Sequence, residues 1–464
     1  MSTHFVIIGN GAAGYRAAKA LRRADGDAMV SVFTEELHPF YLRRQLGEFL
    51  AGNLTLPEVI FQSRNTYRRD RIDLLLGTAV ARIEPAAHAV ALASGQRVQY
   101  DRLLIATGTR AVPLGIPGTD LEGVTLFDTL TCASETRKAL KDVRRAAILG
   151  EGVIGLTLAE SLLGVGIRVT QAIRGERFWP EILDEQTSAL VETILEDHGV
   201  ALRRNQQPRA IIGAAGRAIG VETADGETFP AELVACGCRR RPAVEMARDA
   251  GLDVGRGIHV DASLQTSDPD IFAAGDVAEP VPGDDFGEEG AAFCWQRAWA
   301  QGGLAAASML GHPAAPTLEA VRIRTILFGH DLAVIGRGHL PESDTVKALE
   351  FREDPALYRR LVFENDALVG AIVFGTGETV HELNRMVAQK APRDTVEGRL
   401  GLAPAAPAVD RLPSTFARHC PICAAELVVH HGTRAGAVLR CHACNTDLVV
   451  RWDGEHGWLD VDQP

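Results

Sequence analysis

Two stretches of this chain share one pattern of apolar and polar positions. "HFVIIG", from His4, is a short apolar run that leads through a glycine-rich turn into an Ala-rich stretch of helical spacing, then into a second β-rich run, "MVSVF". Brief apolar runs bounded by turn residues predict buried strands, and the longer periodic stretch predicts a helix. The order returns at "RRAAILGEGVIGLTLAESLLGVGIRVTQAI", as strand, turn, helix and strand. Farther on, "VRIRTILFGHDLAVIGRG" and "LYRRLVFENDALVGAIVFG" alternate apolar and polar positions as strands do, with "ENDALVGA" as a turn.

The turns carry the chemistry. They read Gly9-x-Gly11-x-x-Gly14 and Gly150-x-Gly152-x-x-Gly155. Each arrangement suits a dinucleotide. The first glycine makes the turn, the second lets backbone N–H groups approach a pyrophosphate, and the third packs helix on strand, with the helix N-terminus facing the anion. After "MVSVF" come Glu35 and Glu36, about 20 residues past the first glycines, where a carboxylate would accept from a ribose hydroxyl. Either could do so, and Glu35 is favoured. Two cradles imply two dinucleotides, or one flavin and one nicotinamide.

Between the cradles stands "YDRLLIATGTRAVPLGIPG", and after them "TSDPDIFAAGDVAE". In these ordered motifs, from residue 4 to about 400, the chain resembles the two-dinucleotide flavoproteins of the pyridine nucleotide–disulfide oxidoreductase superfamily. The resemblance implies an α/β fold with two Rossmann-like domains and an α+β C-terminal interface domain. It divides the chain into an FAD-binding domain (1–112 and 243–316), an NAD(P)-binding domain (113–242) and an interface domain (317–398). It implies FAD in the first cradle, on Gly9, Gly11, Ala12 and Gly14, with Ala106, Thr107 and Gly108 of "IATG" closing over it and Val80 of "GTAV" near the adenine. Asp276 of "AAGD" would hold the ribityl chain, and Gly275 would permit the close approach.

Members that reduce disulfides or peroxides carry cysteine on the helix beside the flavin. The matching stretch here, "HPFYLRRQLGEFLAG", has none, which argues against a thiolate relay. It is similar instead to the rubredoxin reductases, ferredoxin reductases and the flavin module of NADH-dependent nitrite reductases, with Phe40, Tyr41 and Arg43 matching. That similarity makes Arg43 a cation at the flavin edge, able to stabilise an anionic reduced flavin. The stretch "FCWQRAWAQGG" resembles the family helix whose tryptophan lies by the isoalloxazine, and that resemblance nominates Trp295.

The second cradle departs from the pattern. Many relatives place a glutamate where this chain has Thr157, and an acid for the ribose where it has Ile173, followed by Arg174 and Arg177. Two guanidiniums could pair with a 2′-phosphate, so NADPH is placed slightly ahead of NADH. The departures also leave open a cradle that binds nicotinamide poorly.

Composition adds limits. A formal net charge of -12 disfavours nucleic acid and anionic membranes. No uncharged apolar run is long enough to span a bilayer, and the strand starting at His4 leaves no room for a leader, so a cytoplasmic protein is expected. Four of the eight cysteines are scattered, which excludes a disulfide framework.

The other four stand in the tail, after a Pro- and Ala-rich linker (399–415). Cys420-x-x-Cys423 and Cys441-x-x-Cys444, 17 residues apart, make a tetrahedral S4 site in a small ribbon at 416–464. "AELVVHHG" can pair with "GAVLRC", and "DLVVRWDGEHGWLDV" gives a second hairpin turning at Asp453-Gly454. So small a fold needs its metal. Structural Zn2+ is placed ahead of rubredoxin-like iron because Ala424 and Asn445, not glycines, follow the knuckles. From Phe416 to Pro464, four Arg face six Asp or Glu, against nucleic-acid binding.

The reading that follows from the residues and the resemblance together is an FAD-dependent NAD(P)H oxidoreductase that passes electrons to a partner redox protein. A homodimer or assembly into a larger redox complex is possible. The rival is a flavin-containing docking subunit with little NAD(P)H activity of its own.

Overall fold

The computed structural model describes residues 2–236, 240–281, 294–312, 320–354, 357–376 and 379–400; in the C-terminal segment it describes Cys420, Leu427, 438–441, Cys444, 446–452 and 457–461. The chain divides into two compact units, residues 1–317 with 321–334, and residues 318–320 with 335–464. Among the described residues no helix is long and apolar enough to cross a membrane.

In the first unit, five parallel strands lie in the order Ile271–Ala273, Arg102–Ile105, His4–Ile8, Met29–Phe33 and Asp73–Leu75. A second parallel sheet repeats the plan with Ala201–Arg203, Arg168–Ala172, Arg145–Leu149, Leu233–Cys236 and Val124–Thr125. In each sheet the strand that feeds a glycine turn is central. Its successor in the chain pairs on one side and a later strand on the other, so the order reverses at the strand's carboxyl end, where open α/β sheets bind ligands. The central strands are nearly continuous apolar runs because both faces are covered. Val6, Ile7, Leu103, Leu104, Ala147 and Ile148 are fully buried, and each large side chain among them contributes about 1.5–3 kcal/mol.

The helix Ala12–Ala24 buries Ala13, Tyr15, Ala17, Ala18 and Leu21. Its small residues admit a neighbour at backbone distance. A side-chain carbon on Gly302, in the helix Trp295–Met309, would lie 2.3 Å from the Ala13 carbonyl oxygen. This contact holds the later helix over the start of the first one. Three-stranded antiparallel sheets, Val80–Glu84 with Ala89–Leu92 and Arg97–Gln99, and Pro208–Ala214 with Arg217–Thr223 and Thr228–Pro230, are appended to the two halves. The chain returns from the second half through Arg240–Pro242, paired antiparallel with Thr109–Ala111.

In the second unit, Val346–Asp354, Leu357–Glu364 and Ala367–Gly375 form antiparallel strands. The turn expected in "ENDALVGA" falls at Asn365 and Asp366, both in left-handed conformation, which matches the twist of a two-residue hairpin. The helix Val380–Ala388 buries Leu383, Met386 and Val387. At the C-terminus Val438–Arg440, Asp447–Trp452 and Gly457–Val461 pair antiparallel, with Trp452 opposite Gly457. The expected turn residues Asp453 and Gly454 lie outside the described residues. So do Cys423, residues 401–415 of the linker, and all of "AELVVHHG" except Leu427.

Candidate functional site

The first cradle is built by close backbone approach. Gly9 has φ +106°, and a side-chain carbon there would lie 2.2 Å from the carbonyl oxygen of Ala106. That contact sets "IATG" against the turn. Gly11, in contrast, faces open space: nothing lies within 4 Å of its would-be side chain. No acid stands in the first turn of the helix Ala12–Ala24, and Arg22 and Arg23 occupy its last turn, so the positive end is left for an anion.

Two buried donors at this cradle have no acceptor. Asn10 accepts from the Tyr67 hydroxyl through Oδ1 at 2.9 Å, but its Nδ2 is unpartnered, as is Nε1 of Trp295. The Trp295 ring stacks on Trp299 at 5.0 Å, and the Arg44 guanidinium lies 4.8 Å above it. A buried donor without a partner is destabilising by about 1–3 kcal/mol. A flavin dinucleotide, rich in carbonyl, ring-nitrogen and phosphate acceptors, fits such a surface.

The segment after Met29–Phe33 separates the two acids. Glu35 is largely exposed and pairs with Arg110 at 3.2 Å. Glu36 accepts from the Tyr41 hydroxyl at 2.6 Å and pairs with Arg43. Val80 is buried nearby, because the Gly77 N–H donates to the Glu36 carbonyl and the Thr78 N–H to the Thr34 carbonyl. Arg43 also donates to the Asp128 carbonyl and lies 3.9 Å from its carboxylate. Asp128 in turn pairs with Arg240, which donates to Thr109 Oγ1 at 2.7 Å and to the Thr109 carbonyl at 3.0 Å. Arg43 is thus clamped between two carboxylates, and the clamp is tied to the returning strand.

Asp276 sits one residue beyond Gly275, whose N–H donates to Gln301 Oε1 at 2.8 Å. Burial pushes the Asp276 carboxyl up to about 6, against the pull of Arg240, Arg297 and Arg43. Three guanidiniums act on one acid here.

At the second cradle, the fully buried Gln171 donates to the Gly150 carbonyl at 2.9 Å and fixes the turn. Ile173 is fully buried and Arg174 exposed. Arg177 turns inward, donating to the Leu183 carbonyl at 2.8 Å and to Ser188 Oγ at 3.0 Å. Of the two arginines, Arg174 is the more open to solvent. Its charge also acts on Glu151, between the cradle glycines, whose carboxyl is raised by burial and by Glu181 and drawn back by the Trp179 N–H and Arg174.

Thr157 faces the helix Leu46–Ala51. A side-chain carbon on Gly47 would lie 2.4 Å from Thr157 Cγ2 and 2.8 Å from Ser161 Oγ. The position where the family resemblance leads one to expect glutamate therefore packs two helices together. Glu160, one turn on, lies half-buried beside Glu48 and His198. Replacing Gly47 by Ala gains at most about 1 kcal/mol of helix propensity, while overpacking is destabilising by about 1–3 kcal/mol. Gly47→Ala is expected to lower the thermal midpoint, and to lower it less in a Thr157→Ala background, where only Ser161 Oγ still crowds the new carbon. Equal losses in both backgrounds would show that the two residues do not compete for space.

A cavity of about 670 Å³ lies away from both cradles, between Leu50–Gly52, Arg137–Arg144 and Val165–Arg168. The cradles are recognised by their backbone, not by enclosed volume.

In the tail, the sulfurs of Cys420, Cys441 and Cys444 lie within 4.8 Å of one another, and all three residues are buried. Cys420 Sγ and Cys444 Sγ are 3.5 Å apart, far longer than a disulfide and near the roughly 3.8 Å edge of a tetrahedron with Zn–S of about 2.3 Å. The Cys444 N–H donates to Cys441 Sγ at 3.5 Å. The donor set fits a soft, tetrahedral ion.

Residues 3–302 match the family model described as pyridine nucleotide-disulphide oxidoreductase. The chain belongs to this family. It is an oxidoreductase whose fold takes FAD and a nicotinamide dinucleotide. Among curated members of the family, it is 33% identical over 358 residues to the biphenyl dioxygenase system ferredoxin–NAD(+) reductase component of Paraburkholderia xenovorans, covering 77% of this chain and 86% of that protein. It is 29% identical over 390 residues to the nitrite reductase (NAD(P)H) of Bacillus subtilis, covering 83% of this chain and 47% of that protein, so it spans about half of that relative's length. In fold it is similar to putidaredoxin reductase in a covalent complex with putidaredoxin, with a TM-score of 0.75 at 24% identity, covering 84% of this chain and 94% of that one.

Sequence reasoning missed Asn10, Asp128, Gln171, Trp179 and Arg240. Gln171 alone left a signal, as a polar residue inside an apolar strand run. The others act through partners distant in sequence, or through backbone conformation.

Proposed function

We propose that this chain is an FAD-dependent NAD(P)H oxidoreductase that passes electrons singly to a partner redox protein of ferredoxin or rubredoxin type, or to a larger reductase, with no cysteine in the path. The observation that carries the reading is the first cradle. An open Gly11, two unpartnered donors and the Arg43–Asp128–Arg240 clamp meet beside a helix that holds no sulfur. Bound flavin supplies the acceptance of a hydride and the release of single electrons, which no side chain offers. The residues bind, orient and set charge. The clamped Arg43 holds a cation that favours negative charge at the flavin edge, Glu35, exposed beside Arg110, is the acid for a ribose, and Asp276 receives the ribityl hydroxyls.

In this reading residues 1–112 with 243–316 hold FAD, 113–242 the nicotinamide dinucleotide, 317–398 form the interface domain, 399–415 the linker and 416–464 the metal ribbon. The ribbon holds Zn2+, with iron as the competing ion, and serves structure or docking. Two relatives bear names that support the partner class, a ferredoxin reductase and a nitrite reductase.

Arg174, the exposed guanidinium at the second cradle, supports NADPH over NADH. Anaerobic titration of the FAD-loaded protein is expected to bleach the flavin stoichiometrically. In Arg174→Ala the KM for NADPH should rise about tenfold, the loss of one charge-assisted pair, and that for NADH should stay within about twofold. A flavin that bleaches with dithionite but with neither nicotinamide would defeat the reductase reading. It would favour the docking subunit instead, to which Thr157 in helix packing and the buried Ile173 already lend support.

A further inference from the structure

The two cradles differ in what their middle glycines face. Gly11 faces open space, whereas a side-chain carbon on Gly152 would lie 3.6 Å from Cζ2 and 3.7 Å from Cη2 of the Trp179 indole. The middle glycine is where the backbone must lie bare to a pyrophosphate. At the second cradle an aromatic ring stands on that approach.

Trp179 is held there against its own backbone preference. Its φ is +52°, in the left-handed region that a bulky side chain rarely adopts. The surrounding turn enforces this conformation. The N–H groups of Ile182 and Leu183 donate to the Trp179 carbonyl at 3.1 and 3.0 Å. The preceding Phe178 is fully buried, its N–H donating to Glu192 at 2.6 Å and its carbonyl accepting from Ser188 at 2.7 Å. Arg177 ties the two ends of the turn together through the Leu183 carbonyl. Strain that the surroundings maintain at a ligand groove is the kind that carries function.

We propose that Trp179 is a gate on the second cradle: its indole covers Gly152 when the cradle is empty and is displaced when a nicotinamide dinucleotide binds, so this residue sets the affinity for that dinucleotide. The proposal rests on the second cradle being the nicotinamide site. A gate lowers apparent affinity by the fraction of molecules in which it stands open. It also separates the two cradles of one chain. The flavin groove has no ring against its middle glycine, and the nicotinamide groove opens only to a ligand that can displace the ring.

The test is calorimetric binding of NADP+ and NAD+ to the oxidised, FAD-loaded protein, which avoids turnover. Trp179→Gly removes the ring and relieves the left-handed strain, and it should bind the preferred dinucleotide about tenfold more tightly. Trp179→Phe, a smaller ring that keeps the turn, should gain about threefold, and it carries the test if the glycine variant fails to fold. In the wild-type protein, hydrogen exchange across residues 177–183 should quicken on NADP+ binding. Binding by the variants alone would equally support the gate. Unchanged or weaker binding by variants of a wild type that does bind would overturn it. No binding by any of the three would overturn the assignment of the second cradle itself.

Discussion

Asp276→Asn is expected to empty the first cradle of FAD while making the empty protein more stable at neutral pH. The carboxyl is partly buried, and that burial raises it to about 6 from an ordinary 3.8, so the folded protein holds its proton more tightly than the unfolded chain. The sign follows from linkage. An acid whose folded value is raised leaves stability intact below about pH 4, and its ionisation withdraws stability as pH climbs toward 6. The shift corresponds to at most about 3 kcal/mol, and water reaching the side chain makes it less. Asparagine removes this penalty, so the empty variant should gain stability above pH 6 and gain nothing at pH 4. It also removes a charged acceptor for ligand hydroxyls, a loss of about 2–3 kcal/mol or roughly a hundredfold in affinity. The ratio of flavin to protein absorbance after purification reads the first effect, and thermal melts of the flavin-free protein from pH 4 to 8 read the second. A variant that keeps its flavin at wild-type affinity would remove Asp276 from the site.

Opposite signs on stability and binding mark a residue kept for its ligand, and the sequence could name this one only through family likeness. The glycine turns were legible because spacing alone dictates a strand, a bare backbone and a helix N-terminus. The parallel sheets around them follow from brief, nearly continuous apolar runs. The charge arrangement was not legible. Glu36 and Arg43 stand seven positions apart and meet across a segment whose far end is tied elsewhere, the Leu42 N–H donating to the Val59 carbonyl. Arg240 stands 112 positions from Asp128 in the chain and reaches it on the strand that pairs with Thr109–Ala111. Thr157 reads as a missing glutamate until Gly47 is seen against it, and the conformation of Trp179 leaves no trace in residue order.

The tail shows the opposite balance, since knuckle spacing announces the ligands while little else is needed to hold them. Its described core consists of Leu427, Leu448 and Val449 beside the three cysteines, all buried. Three apolar side chains contribute only about 5–9 kcal/mol before conformational entropy is subtracted. Metal binding to such a site is worth about 10–16 kcal/mol at neutral pH, more than these described side chains supply, so under the proposed reading the ion decides whether the ribbon folds. Cys441→Ser, at a fully buried ligand, should therefore release the metal and abolish hydrogen-exchange protection across 438–440 and 447–452. Flavin content and the rate of flavin reduction by NADPH should stay within about twofold, because the helices and sheets of both cradles end before the linker. Elemental analysis of the wild-type chain separates one equivalent of zinc from one of iron, and an iron–thiolate absorption beneath the flavin bands would report the latter. A ribbon that keeps its protected strands without metal would contradict the energetics. Loss of NADPH-driven reduction along with the metal would contradict the separation, and would make the tail part of the path by which electrons reach the flavin.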